Sequence, residues 1–243
     1  IDKWIISEAI KLHEEVQKLN DNYAYHHVIQ KIHNFCVHEL GGVYLDIIKD
    51  RMYVTKSNSY ARRSAQFALF EVAEILIRLI SPILVFTAEE IWQSHELFKK
   101  QSVSIFMASQ KVLSEIESSI SDEDWKKIFA VKDAVNQSIE KARADSVIKG
   151  SLDSKISISC DKKTFKALQK IEDELKFVFI SSEVEIAESS SSRLDIEVTN
   201  FEQKKCIRCW NKCSSVGLYA EDPEICSRCY TNVYGDGEIR KFV

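Results

Sequence analysis

The sequence predicts a mainly α protein, a helical bundle followed by a small α+β subdomain and a four-cysteine ribbon at its end. Three observations predict this. Only six Gly and two Pro interrupt 243 residues, too few for a turn-rich β protein. Apolar residues recur at steps of three and four through the first hundred positions, which is the period of an amphipathic helix. Near the other end two Cys-x-x-Cys pairs stand close together, Cys206/Cys209 and Cys226/Cys229. Read along the chain, these signals divide it into a bundle over 1–120, a long connecting helix over 121–150, an α+β subdomain over 151–199 and the ribbon over 200–243.

The first helix is drawn by Ile5, Ala9, Leu12, Val16 and Leu19, and Asn20-Asp21-Asn22 offers its turn. Val28, Ile32 and Phe35 open a second. Gly41-Gly42 weakens it by roughly 1 kcal/mol per Gly relative to Ala, and Tyr44, Ile47 and Ile48 resume the pattern. A third follows Ser57-Asn58-Ser59, with Leu69, Val72, Leu76, Leu79 and Ile83 on its stripe, and Pro82 should kink or end it. Thr87 with Ala-Glu-Glu reads as a fresh N-cap. Three long amphipathic helices with short links bury their stripes only against each other, so a bundle is the expected packing.

The pattern lapses over 94–120. Ser121 to Asp124 then resembles a capping box, with Asp where Glu or Gln is usual. Ile128, Val131, Val135, Ile139 and Ala142 mark a helix expected to stop near Gly150. After it, 155–160 alternates polar and apolar as a half-buried strand does. Phe177–Ile180, Val184–Ala187 and Leu194–Val198 are further strand candidates, with a helix over Phe165–Ile171. The serine run 189–192 is read as a surface loop.

Composition limits function. The chain is 45% hydrophobic and no stretch approaches the roughly 20 apolar residues of a membrane helix. A formal charge of −4 gives no global pull toward nucleic acid, so such a role needs local patches. Seven Cys, an odd number with paired spacing, fit metal binding in a reducing compartment better than a disulfide framework. The chain opens Ile-Asp-Lys-Trp with no initiator Met and no signal segment, and is expected to be part of something longer.

The cysteine pairs are separated by sixteen residues, a strong zinc-ribbon spacing. Each pair turns two thiolates to one side, and together they complete a tetrahedron with Zn–S near 2.3 Å. No His follows His95, so the site is all-cysteine, closed, and structural. The competing reading is two redox or disulfide pairs. Cys213 is taken as a free thiol, and Cys36 and Cys160 as packing residues. His26, His27, His33 and His38 are read as surface or packing residues of a helix. Around the metal Lys204, Lys205, Arg208, Lys212, Arg228, Arg240 and Lys241 alternate with Trp210, Tyr219, Tyr230, Tyr234 and Phe242. Flat rings among cations suit looped or single-stranded RNA. Solvated charges balanced by Glu202, Glu221, Asp222, Glu224, Asp236 and Glu238 suit the same residues equally.

The chain resembles bacterial-type isoleucyl-tRNA synthetases over their C-terminal third. The resemblance rests on Tyr44-Leu-Asp-Ile-Ile-Lys-Asp-Arg51, Ala61-Arg-Arg-Ser64, Phe86-Thr-Ala-Glu-Glu-Ile-Trp92, Ala142-Arg-Ala-Asp145, the two cysteine pairs and Gly235-Asp-Gly-Glu-Ile-Arg-Lys-Phe242, in that order. It departs at Gly41-Gly42, in the stretch between Trp92 and Ser121, and at Asn211-Lys-Cys213. The resemblance implies a class I ligase that activates isoleucine with ATP and Mg2+ and esterifies it to tRNA, in the cytoplasm and as a monomer. His-x-Gly-His and Lys-Met-Ser-Lys-Ser, the family's ATP signatures, are absent from these residues. The chain is therefore expected to hold the anticodon stem-loop and contact its own N-terminal catalytic domain, with no catalytic residue of its own.

The expected tRNA contacts are Lys49, Arg51, Arg62, Arg63, Arg208, Trp210, Lys212, Arg228 and Arg240. Cations in a helix's first turn oppose its dipole. Arg62 and Arg63 therefore need a reason, either tRNA phosphate or an ion pair to Asp46 or Asp50. Two other classes compete: a DNA-repair glycosylase, which ends in a similar finger, and a structural zinc adaptor that binds protein.

Overall fold

The structure, a computed structural model, describes residues 1–109, 117–190 and 193–243. The chain forms two compact units, residues 1–46 with 64–118 and residues 47–63 with 119–243. The segment 47–63, placed with the bundle by a linear reading, packs with the cysteine tail.

In the first unit, α1 (Asp2–Asp21) buries Ile5, Ala9, Leu12 and Val16, the predicted stripe without Leu19. It stops at Tyr23, a left-handed residue with φ +61°. The amide of Ala24 donates to the Leu19 carbonyl at 2.9 Å, the closure of a Schellman motif with Tyr where Gly is usual. Next comes α2 (Tyr25–Phe35), burying Val28, Ile32 and Phe35. The predicted glycine weak point is instead a π-helix over Cys36–Leu45 that leads on to α3 (Asp46–Val54).

The π-helix explains how the apolar stripe is kept. At about 100° per residue, α-helix would put position 44 on the far side from Phe35. An i→i+5 ladder, at roughly 80° per residue, returns it to the same side. Tyr44 is fully buried, and its hydroxyl donates to Asp2 at 2.8 Å. Cys36, expected to pack, is turned outward and exposed. A Cβ at Gly41 would lie 2.9 Å from the Cys36 carbonyl oxygen, too close for any other residue.

The long α4 (Tyr60–Ile80) buries Ala61, Ala65, Ala68, Val72, Ile75 and Leu79. That stripe is rotated from the predicted one, since Leu69 and Leu76 are only half-buried and Ile83 is exposed. The helix ends before Pro82. Then α5 (Val85–Ser94) starts ahead of Thr87, which is not the cap. With α6 (Glu96–Lys99) it closes a second apolar cluster of Ile77, Ala88, Trp92, Phe98 and Ile105. Arg78 lies over the Trp92 ring at 5.1 Å while donating to buried Glu74 at 2.9 Å.

In the second unit, α7 (Asp122–Ala144) is capped by Ser121, whose hydroxyl accepts from the Asp124 amide and donates to its carboxylate. It buries Trp125, Ile128, Val131, Val135, Ile139 and Ala142. It ends six residues before Gly150, because Ser146 adopts φ +60° and the Val147 amide closes on the Ala142 carbonyl at 2.9 Å. A three-stranded sheet follows, in the order β2-β1-β3. Its central strand β1 (Ser154–Cys160) is parallel to β2 (Glu183–Glu188) and antiparallel to β3 (Asp195–Asn200). The pairs Ile156↔Val184, Ile158↔Ile186, Ile156↔Val198 and Ile158↔Ile196 fix its register. Between β1 and β2 lie α8 (Lys162–Gln169) and the single turn α9 (Leu175–Val178). The predicted strand at Phe177–Ile180 is thus helical and then turn. Phe177, Val178 and Phe179 are all buried, a continuous apolar run whose periodicity distinguishes neither state. Of the serine run, 191–192 lie outside the described residues. The tail adds α10 (Ser227–Tyr234).

Candidate metal centre and the surface braced to it

The two cysteine pairs are built differently. Cys206–Trp210 is a tight turn at the end of a two-residue bridge, Lys205 opposite Lys212. The Trp210 amide donates to the Cys206 carbonyl at 2.9 Å, and Trp210 itself is left-handed at φ +64°. Cys226, by contrast, is the N-cap of α10 and Cys229 lies in its first turn. There the helix dipole favours thiolate. The two matching turns expected from the spacing are therefore one turn and one helix end.

The four sulfurs lie within 4.8 Å of one another, and all four residues are buried. Cys209 and Cys226 Sγ are 3.8 Å apart. That matches the edge of a tetrahedron with Zn–S near 2.3 Å, about 3.8 Å, and far exceeds a disulfide's roughly 2.05 Å. All seven cysteines are free thiols. Hydrogen bonds from Cys226 and Cys229 hold the Cys209 thiol far below its ordinary range. The bond to Cys209 pushes Cys226 up, and the bond to Cys209 pushes Cys229 up to about 12. A divalent cation held by all four sulfurs would end this competition by letting them ionise together. The donor set, spacing and burial are those of a structural zinc site with no open position. Among the described residues, this quartet is the one group able to hold a metal. The four histidines read as surface or packing residues are all exposed. Cys213 packs beside the quartet and meets the Ser215 hydroxyl at 3.4 Å.

Each pair reads Cys-x-Arg-Cys, and both arginines turn inward onto α3. Arg208 donates to the Val54 carbonyl at 2.7 Å and to Cys229 Sγ at 3.7 Å. Arg228 grips Asp50 with two bonds, at 2.7 and 2.8 Å, and Glu238 at 3.1 Å. Burial opposes the Arg228 charge, but Asp50 and then Glu238 raise its pKa well above the ordinary value. Arg240, whose side chain is 3% exposed, also donates to Asp50 at 2.7 Å and lies over the Phe177 ring at 3.2 Å. Val54 completes the apolar packing around the four cysteines. Just beyond it, the Lys56 amide and ammonium donate to Asn232 at 3.2 Å and the Gly235 carbonyl at 2.8 Å.

The nine expected contact residues therefore occupy different environments. Lys49 and Arg63 are exposed, Arg62 is half-buried and Trp210 is 62% exposed. Arg51 is buried and donates to the Ala61 carbonyl at 3.5 Å. Lys212 is largely covered, with its ammonium on Asn200 at 2.8 Å. Arg208, Arg228 and Arg240 brace the tail. Asp50 accepts from Arg228 and Arg240, so it is a partner of the tail. Sequence reasoning missed Asp50, Val54, Lys56 and Asn232 as parts of this centre. One signal was available, the same Arg at the same place in both cysteine pairs.

Residues 2–158 match the model of the anticodon-binding domain of tRNA ligases, and residues 203–232 match the zinc finger found in FPG and IleRS. Similar proteins include the isoleucine–tRNA ligases of Alcanivorax borkumensis (41% identical), Ruthia magnifica (40%) and Pseudomonas paraeruginosa (39%). Each match covers 100% of this chain and 27% of the relative, so the chain spans about a quarter of their length. No helix among the described residues is long and apolar enough to cross a membrane. A mostly helical chain carrying a four-cysteine finger, matched over well more than half its length, belongs to the anticodon-binding domain family of tRNA ligases.

Proposed function

We propose that the chain is the tRNA-binding part of an isoleucine–tRNA ligase and grips the anticodon stem-loop of isoleucine tRNA. The enzyme acts as a cytoplasmic monomer. Its ATP- and Mg2+-dependent chemistry belongs to the remainder of the polypeptide, the catalytic domain against which this part works. One observation carries the reading. In a chain of net charge −4, residues 47–63 hold five Lys or Arg against one Asp, and that segment is bolted to the metal centre. In this reading Lys49, Arg62 and Arg63 meet phosphate and Trp210 meets a base, which their at least partial exposure supports. Arg51, Arg208, Arg228 and Arg240 hold the surface in shape, and Lys212 secures the turn beside Trp210.

Titration of metal-loaded protein with isoleucine tRNA over a salt series tests this. Arg62→Ala/Arg63→Ala is expected to weaken binding and to lower the salt slope by about one for each phosphate that the variant no longer neutralises. An unchanged slope removes both from the contact set. The finger's description names a second protein type, so an abasic DNA duplex belongs in the same titration. Retention of that duplex, with no retention of tRNA, overturns the reading in favour of a repair glycosylase.

A further inference from the structure

We infer that Tyr53 and Tyr60 form a stacking site for unpaired RNA bases at the corner between α3 and α4. The inference rests on the reading above and names residues that it does not contain.

Among the aromatic rings these are two of the most exposed, Tyr53 at 79% and Tyr60 at 86%. Their positions are regular. On α3 the inner face is Ile47, Ile48, Arg51 and Val54. Lys49 and Tyr53, four residues apart, share the outer face. On α4 Ala61 points inward, and Tyr60 and Arg63, three apart, share the outer face. Each helix thus presents a ring with a cation one turn away, on either side of the link 55–59. That is the pairing one nucleotide needs, a flat surface for the base and a positive charge for the phosphate.

The corner is stiff, so binding orders little that is not already ordered. The Ser59 amide donates to the Lys56 carbonyl at 3.0 Å and the Ser59 hydroxyl to Thr55 at 3.1 Å. Arg63 Nε donates to Asn58 at 3.2 Å, and Lys56 is anchored on Asn232 and Gly235. Among the described residues neither Tyr53 nor Tyr60 has a hydroxyl partner. The tail tyrosines, which the sequence favoured, are otherwise engaged. Tyr219 stacks on Tyr230 at 3.7 Å, and the hydroxyls of Tyr230 and Tyr234 donate to Glu221 and Asp222. The occupant is set by charge and shape. Residues 47–63 carry five Lys or Arg against Asp50 alone, and Asp50 accepts from Arg228 and Arg240, so by composition the rim is net positive. A polyanion fits that rim, and only unpaired bases offer ring faces; a duplex hides them.

The test uses the full metal-loaded chain and two synthetic RNAs, a hairpin with a seven-nucleotide single-stranded loop and the same stem closed as a duplex. Tyr53→Ala/Tyr60→Ala is expected to bind the hairpin roughly 5- to 150-fold more weakly, the factor that about 1–3 kcal/mol of stacking represents. Duplex binding and the salt slope stay as in wild type, and the Tyr→Phe pair keeps the hairpin affinity. Metal content and thermal midpoint confirm that the variants fold. Undiminished hairpin binding by the Ala pair overturns the stacking site while leaving the tRNA reading intact. A wild-type chain that binds neither RNA overturns both.

Discussion

Trp210 holds an indole at φ +64° beside a metal ligand. For a bulky residue the left-handed region costs about 1–2 kcal/mol, and Gly would sit there without strain. Strain retained at such a place points to use of the ring. Trp210→Gly is therefore expected to be more stable than Trp210→Ala by about 1 kcal/mol in urea, with both binding tRNA more weakly. Equal stabilities for the two variants contradict the strain argument. Asp50 makes the opposite case, a residue whose work is entirely internal. Removing it takes a partner from two buried guanidiniums and leaves both to Glu238, at 3.1 Å from Arg228 and 3.8 Å from Arg240, and breaking such a pair from one side costs about 3–5 kcal/mol. Asp50→Ala should show that destabilisation in a denaturant midpoint, where truncating an exposed lysine such as Lys241 shifts it by about 0.5 kcal/mol or less.

At the scale of elements, the π-helix yields a prediction of sign. In an α-helix Gly→Ala stabilises by about 1 kcal/mol. At Gly41 the new methyl meets the Cys36 carbonyl oxygen at 2.9 Å, so Gly41→Ala should lower the thermal midpoint. A rise in midpoint means that the segment is ordinary α-helix. Helix ends tell a related story. With only six Gly in the chain, α1 and α7 close on Tyr23 and Ser146 in the left-handed region. A search for Gly as the stop signal consequently overran α7 as far as Gly150.

At the scale of the molecule, the metal centre and the α3–α4 corner form one assembly within the second unit. A tail this small holds its shape through metal binding, so binding energy is folding energy. Chelation is expected to remove amide protection from α10 and from Lys56, whose amide donates to Asn232, while Ile156 and Ile158 in the central strand keep theirs. Hydrogen exchange before and after chelation measures this directly. Unchanged protection over 206–234 contradicts a metal-held tail. Weaker tRNA binding should accompany the fall in protection, because the arginine struts start from the cysteine turns.

The sequence by itself determined the helical class, the four cysteines and the sheet's three strands, together with a fourth strand at Phe177–Ile180 that the fold makes helix and turn. Helix periodicity, strand alternation and cysteine spacing are local patterns, written within a few residues of where they act. Tertiary structure alone decided which cations face solvent. Arg208, Arg228 and Arg240 look like nucleic-acid contacts in a linear reading, yet their partners Val54 and Asp50 lie more than 150 residues away. Whether an arginine is a contact or a strut depends on what the fold brings opposite it. The same holds for the aromatics. Tyr230 and Tyr234 are engaged by their neighbours, and Tyr53 and Tyr60 are left open, because packing settles which ring faces water.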